Sequence, residues 1–366
     1  MAHQNASTID IYLCMSQLSP PPKSQFKESL KTVPEVRVDY IDLLKGIAIL
    51  WIIWVHSGVP ECAKYGNSIF FFTSGIFFKL TDAKKFFSKR VWMIIIPFLF
   101  FYLASIPFRF IVDLWDFRTI EAFDWNRIFD ILRIEDRNDY LSLNVPLWFL
   151  LTLFMVQSFS FIVFRLNQWI ILALALLSLV FFEELYRIPS LFMINNALAW
   201  FGYFAIGYLT GKPLIKYLNS LRRKTLVFIL SLLILAGCII FEQLEIADWH
   251  NLIGKTKLIV FIICFMTFFS FLNGMKSLQF LRFYGKNSLI VLGAHLWILV
   301  PIQRLMFRLL RIHHPLIGLG MAIATAVLLV PVIIWMNKHI PFLVGKRKDV
   351  KTSTDSISIP DLGKSD

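Results

Sequence analysis

The sequence predicts an all-α, polytopic transmembrane bundle of about ten spans with both termini in the cytoplasm. Three observations carry that prediction. Hydrophobic residues make up 57% of the chain, charged residues only 17%, and the mean hydropathy is +0.66, which soluble domains do not reach. Apolar stretches of near-membrane length recur from residue 41 to residue 336, and the segments between them alternate between basic and acidic. The net charge of +13 lies largely in short loops beside those stretches, which is a signal of membrane topology and not of a nucleic-acid partner.

Taken in order, residues 1–36 are a polar extension rich in Gln, Ser and Lys around Pro20-Pro21-Pro22, without the layout of a signal peptide. Ten candidate spans follow at about 41–59, 66–80, 91–110, 145–164, 169–182, 191–210, 225–241, 256–273, 288–303 and 316–336. Several fall short of the roughly 20 residues that a straight crossing needs, so tilted or broken helices are expected. Residues 341–366 form a polar tail, which leaves 37–340 as the membrane domain. Cys14, Cys62, Cys238 and Cys264 are scattered, with neither a disulfide framework nor a metal cluster among them.

Loop charge sets the orientation. Lys79, Lys84, Lys85, Lys89 and Arg90 face only Asp82, and Lys212, Lys216, Arg222, Arg223 and Lys224 have no acid in their loop. Lys276, Arg282 and Lys286, then Lys338 and Lys346, fall on the same side, which is therefore cytoplasmic. The segment 111–143 carries eight acids from Asp113 to Asp139 against four arginines and belongs outside. Its stretch Trp125–Leu132 reads as a short amphipathic helix that caps the bundle or closes over an acceptor. Arg304, Arg308 and Arg311 contradict the pattern and mark either a cavity mouth or a re-entrant segment.

The first span holds the ionisable groups that matter most. Asp42, Lys45 and His56 share one helix face, with Lys45 and His56 within about 20° of each other and roughly 16 Å apart along the axis. Charged and titratable side chains at membrane depth are costly and usually mark function. The plainer alternative is a snorkelling lysine and a histidine satisfied in the bundle core. A second histidine, His295, lies seven residues beyond Ser288, on nearly the same face and near mid-bilayer, with Asn287 or Ser288 able to cap its helix. Trp148 sits where an interfacial anchor is expected, with stacking on a sugar as the alternative.

Several motifs now converge on a family. The run Arg37-Val38-Asp39-Tyr40-Ile41-Asp42-Leu43-Leu44-Lys45, ending at His56, resembles the first-helix signature of the acyltransferase-3 family of integral membrane O-acyltransferases. Ser68–Gly75 is similar to its aromatic second-helix motif, and Lys89-Arg90 with Pro97 to its basic third-helix motif. Pro146-Leu147-Trp148, Gly202–Tyr208 and Tyr284-Gly285-Lys286-Asn287-Ser288 complete the resemblance over residues 37–336. One position departs. The third-helix motif is commonly Arg-x-x-Arg, and here Met93 stands in place of the second arginine, with Lys89 as the expected substitute.

The resemblance implies transfer of an acyl group, most simply acetyl from acetyl-CoA, to a hydroxyl of a cell-surface glycan, polysaccharide or lipid-linked saccharide in a bacterial inner membrane. It implies catalytic roles for His56, Lys45, Asp42 and His295, with His56 as general base and Asp42 holding Lys45 or Arg90. Arg90, Lys89 and Lys286 would hold the donor's phosphates, and Ser74, Trp148, Asn287 and Ser288 would contact substrate. No permanently bound cofactor is expected, since acyl-CoA arrives as a substrate. No hydrolase-like domain follows the bundle, so the chemistry is expected within it or from a partner. The rival reading is a transporter of polysaccharide or solute in which the same Lys, His and Asp relay protons, although no internal repeat supports it.

Overall fold

The computed structural model describes residues 38–58, 63–119, 123–132, 141–243, 250–310 and 315–346. Within them the chain is helical, with no strand. The N-terminal extension and most of the C-terminal tail lie outside the described residues.

The first helix, α1 (Asp39–His56), is followed by α2 (Ala63–Ile76) and α3 (Ala83–Arg90). Asp82 caps α3 by accepting from the Lys84 and Lys85 N–H groups at 3.1 and 3.5 Å, and so the basic segment expected to be a loop is helical. A single π-helical turn, Val91–Ile95, carries α3 into α4 (Ile96–Phe117), which makes one continuous helical stretch of 34 residues from Ala83 to Asp116, basic in its first two turns and apolar beyond them. Such widened turns cluster at functional sites. A 3₁₀ turn leads into α5 (Trp148–Val163), followed by α6 (Gln168–Val180), the short α7 (Phe182–Arg187) and α8 (Ile194–Tyr217). The chain then forms α9 (Leu221–Gln243), α10 (His250–Phe271), α11 (Gln279–Lys286), α12 (Ser288–Leu310) and α13 (Pro315–His339).

Among the described residues six helical stretches are long and apolar enough to cross a membrane: Ala83–Asp116, Val145–Val163, Leu221–Ile240, Ile253–Phe271, Ser288–Met306 and Leu316–His339. About ten were expected. The other four expected spans are helices that fail on charge, length or polarity. Helix α1 carries Asp39, Asp42 and Lys45, α2 has only 14 residues and α6 only 13, while Asn195 and Asn196 dilute α8. Burial sets α1 and α8 apart. Ile41, Leu43, Leu44, Ala48 and Ile53 of α1 are buried, as are Tyr203 and Phe204 of α8, so these helices form the interior. By contrast α9, which packs on α10, buries only 6% of its apolar window and presents the rest outward.

Two pairs of interior helices touch backbone to backbone at glycines. A side chain at Gly46 would collide with the Leu281 carbonyl, and one at Gly285 with the Asp42 carbonyl, so α1 and α11 meet reciprocally. Gly75 and Gly207 make the same arrangement between α2 and α8, against the Phe204 and Phe72 carbonyls. Small residues at helix contacts are the usual means of close approach where lipid supplies no hydrophobic drive.

The segment expected as a short amphipathic helix is a 3₁₀ helix, Trp125–Leu132, lying across one end of the bundle. Asp113, 2% exposed, fastens it by pairing with Arg127 at 2.9 Å while also pairing with Arg109 at 3.1 Å. The Tyr102 hydroxyl donates to the Arg127 and Ile128 carbonyls at 3.0 and 3.1 Å, and Asp130 accepts from the Ser142 hydroxyl at 2.6 Å. Arg304 pairs with Asp116 at 3.1 Å at the same end. Its charge is thus balanced by α4, and α12 runs on as one helix, so neither a cavity mouth nor a re-entrant turn is needed to explain it. The Arg308 side chain and Arg311 lie outside the described residues.

Gly285→Leu or Gly46→Leu should therefore separate α1 from α11. Overpacking of this kind costs about 1–3 kcal/mol or more, and the expected outcome is a lowered unfolding temperature in detergent and loss of the monodisperse peak. Gly237→Ala and Gly320→Ala, where nothing lies within 4 Å of the new Cβ, should behave as wild type.

Candidate active site

The lock at Gly46 orients α1. Relative to that residue, Lys45 and His56 lie about 100° and 80° round the helix in the same direction, with Ile49 between them. This face borders a cavity of about 310 Å³ whose walls come from α1, α2, the α3–π segment, α5 and α12. Lys45 enters from α1 and Arg90 from the opposite wall, with Thr73, Ser74, Gln157 and Ser288 as the polar remainder. No carboxylate is among the lining residues, so the two cations give the cavity a positive potential. Aromatic faces steady both cations: Lys45 Nζ is 5.7 Å from the Phe77 ring, and the Arg90 guanidinium is 5.1 Å from Phe86 and 5.9 Å from Phe78.

The cavity reaches Leu292 on α12, one turn before His295, and Ile49 on α1, two turns before His56. Side chains on a helix tilt toward its N-terminus. The two imidazoles meet just beyond the cavity, their ring centres 5.2 Å apart and their planes inclined by 42°. His295 is fully buried, and its Nδ1 lies 2.9 and 3.0 Å from the Val291 and Leu292 carbonyls. Carbonyls only accept, so the proton is assigned to Nδ1 and Nε2 carries the lone pair. That Nε2 has no hydrogen-bond partner among the described residues. One imidazole is therefore locked in a single tautomer with its basic nitrogen unused, beside a second imidazole that closes α1.

A buried polar network holds this part of α12. Asn144 donates to the Ser105 hydroxyl and to the Gly293 carbonyl, both at 2.9 Å, and the Trp297 indole donates to Ser105 at 3.0 Å. Ser105 passes its own proton to the Phe101 carbonyl at 2.7 Å. Gln303 donates to the His56 carbonyl at 2.8 Å, which ties the end of α1 to α12. Sequence reading missed Ser105, Asn144, Trp297, Gln303 and Gln157; isolated polar residues in apolar spans were the only signal pointing to them.

The other expected site residues divide. Ser74, Ser288 and Arg90 join Lys45 in the cavity, while Asp42 is 9% exposed and packs against Gly285 outside its lining. Lys89 and Lys286 are exposed and do not line it, so Lys89 does not stand in for the absent arginine at Met93, which does. Trp148, 5% exposed, packs with the rings of Phe149 and Trp200 in the aromatic core instead of standing at an interface. Asn287 joins two helices rather than facing the cavity: its Nδ2 donates to the Phe283 carbonyl of α11 at 2.8 Å, and its Oδ1 accepts from Asn337 at 2.8 Å. It thus secures the end of α11, and not the first N–H groups of α12 as expected. Among the described residues no cluster of three His, Cys, Asp or Glu side chains could hold a metal.

A second hollow of about 720 Å³ lies on the other side of α1, against Trp51, Trp54 and Phe265. It is larger, but Tyr284 is its only ionisable lining residue, and that hydroxyl donates to the Ala326 carbonyl at 2.6 Å. Size does not select the site; the convergence of charge and imidazole does.

No curated protein and no solved structure matches the chain. Residues 38–336 match the acyltransferase-3 family model, described as an acyltransferase domain, and cover every side chain of the cavity and both imidazoles. The chain belongs to the acyltransferase-3 family.

Proposed function

We propose that the protein is an O-acyltransferase of the bacterial inner membrane that moves an acyl group, acetyl from acetyl-CoA, to a hydroxyl of a cell-surface glycan, polysaccharide or lipid-linked saccharide. The observation that carries this reading is a two-cation cavity with no carboxylate in its lining, whose α1 and α12 walls lead on, within two helical turns, to a pair of imidazoles in contact. Acyl-CoA needs that combination, because it brings several phosphates and a reactive thioester at opposite ends of one molecule. Arg90 and Lys45 would take phosphate charge, Arg90 in the forked geometry that suits phosphate oxygens.

The transfer itself needs little machinery. His56 takes the proton of the acceptor hydroxyl as its oxygen attacks the thioester carbonyl carbon. The new C–O bond forms, the C–S bond breaks, and the leaving thiolate takes the proton from the His56 imidazolium, giving the ester and free thiol. His295, with its basic nitrogen unused, orients either the hydroxyl or the His56 ring. On this reading the Lys45 end of the cavity opens to the cytoplasm, α1 and the chain termini share that orientation, and the four polar or short helices α1, α2, α6 and α8 bring the number of spans to about ten.

Replacing His56 by Ala should lower kcat by about 10²–10⁴ with protein abundance in the membrane unchanged. Purified enzyme retaining full activity with both substrates supplied would remove His56 from the chemistry.

Arg90→Ala should weaken acetyl-CoA far more than acetyl-pantetheine, which presents no phosphates, in thermal-shift or calorimetric titration. Failure to bind any acyl-CoA, together with solute-coupled proton uptake in proteoliposomes, would point to the transporter.

Reporter fusions after Lys85, Arg223 and Lys346 should read as cytoplasmic and one at Asp124 as external. A cytoplasmic signal at Asp124 would reverse the bundle and place the imidazoles on the wrong side of the donor.

A further inference from the structure

Gln157 is a polar side chain of the cavity that the acyl-transfer chemistry does not use. It lines the wall from α5 and is 5% exposed, and its Oε1 is buried without a hydrogen-bond partner among the described residues. A buried carboxamide left unpaired costs free energy, the more so at membrane depth, and such a group in a native interior calls for a partner. Its position along the cavity narrows what that partner is. Helix α5 runs from the imidazole end to the Arg90 end. Asn144, just before it, donates at 2.9 Å to the carbonyl of Gly293, two residues short of His295. At the far end Phe161 packs on Phe86 with ring centres 4.6 Å apart, and the Arg90 guanidinium lies 5.1 Å from that same Phe86 ring. Gln157 stands one turn before Phe161, about 13 Å of rise beyond Trp148. The other lining residues of α5, Phe149, Leu150 and Leu153, lie toward the imidazoles and are apolar. The carboxamide is thus the polar group that α5 contributes to the lining, set between Arg90 and the imidazoles.

We propose that Gln157 binds the pantetheine arm of the acyl donor by hydrogen bonds to its amides. The inference rests on the reading of the cavity as an acyl-CoA site. Between its diphosphate and its sulfur the arm carries two secondary amides joined by apolar methylenes. Oε1 accepts from an arm N–H, and Nε2 donates to an arm carbonyl. Phe70, Phe77, Leu150 and Leu153 line the same cavity and suit the methylenes. Thr73, also polar, already donates its proton to the Phe70 carbonyl at 3.2 Å. Arg90 then reads the charged end of the donor and Gln157 its neutral arm, and the two contacts together set how far the thioester reaches toward His56.

The test titrates detergent-solubilised full-length protein calorimetrically with CoA, with pantetheine and with phosphoadenosine diphosphate, the nucleotide half of CoA that keeps the phosphates and lacks the arm. Gln157→Met fills similar space without a carboxamide. It should weaken CoA and pantetheine alike by about tenfold, the upper range for one neutral hydrogen bond, and leave the nucleotide unchanged. Arg90→Ala should give the opposite pattern, weakening CoA and the nucleotide and sparing pantetheine. In the wild-type protein, CoA carrying a photoreactive diazirine on its pantetheine arm should label α5 between Leu150 and Gln157, read by mass spectrometry, and excess CoA should suppress the label. This measurement decides the matter if Gln157→Met fails to fold. Unaltered CoA binding in Gln157→Met, an equal loss for all three ligands, or an arm label confined to other walls overturns the proposal and leaves Gln157 a packing residue. Should Arg90→Ala show its pattern and Gln157→Met not, this inference alone falls. Should neither variant change CoA binding, or the wild type bind none of the three, the acyl-CoA reading of the cavity falls with it.

Discussion

The contact between α1 and α11, in which Gly46 lies on the Leu281 carbonyl and Gly285 on the Asp42 carbonyl, is the constraint on which the rest of the site depends. Two backbones at that separation cannot rotate about their axes without collision. Once Gly46 faces α11, the helical period sends Lys45, Ile49 and His56 to one flank and Ile47, Trp51 and Trp54 to the other. The first flank borders the charged cavity or meets His295, and the second borders the apolar hollow. A shift of one residue in α1 would exchange Lys45 for a leucine at the cavity wall. The contact therefore decides through geometry which side chains of α1 meet the cavity and which meet His295.

The polar interior is held by acceptors already present in the backbone. His295 uses the carbonyls one turn below it, Asn144 uses the carbonyl of Gly293, Gln303 bonds to that of His56, and Ser105 bonds to that of Phe101. An unsatisfied polar group at membrane depth costs several kcal/mol, so each of these bonds limits where its helix can sit. Together they leave one basic nitrogen, His295 Nε2, outside the network among the described residues. The acyl transfer proposed above calls for such a group, and the surrounding bonds keep it from being consumed by the structure.

The placement of cations follows a related logic. Arg90 stands where α3 passes into a π-helical turn, with Phe78 and Phe86 against its guanidinium. The widened turn keeps both Arg90 and Met93 at the cavity, although they come from adjoining helical segments of different pitch. At the other end of the bundle, charge is neutralised pairwise: Asp113 with Arg109 and Arg127, and Asp116 with Arg304. One end is thus closed by ion pairs and a 3₁₀ cap, while the other presents positive charge to a cavity without carboxylates.

Much of this was legible in the chain by itself. Helical periodicity placed Lys45 and His56 on one face, because side chains eleven residues apart return to nearly the same direction whatever surrounds the helix. Composition determined the membrane setting, and six ordered motifs determined the family, since short apolar signatures become specific in combination. Periodicity reports which residues share a face and says nothing about which faces meet, so only the tertiary structure brought His56 to His295 across more than two hundred residues. The same limit hid Asn144 and Ser105, which look like incidental polar residues until their partners are known. It also misplaced Trp148, whose position at a span end resembles an interfacial anchor, although the ring is buried against Trp200. Local charge made residues 79–90 read as a loop and Arg304 as an anomaly; the Asp82 cap and Asp116, one adjacent and one distant, resolved each. The turn that sets Gly345 against Met93 had no signature at all, because a turn at the end of the bundle is positioned by what it packs against.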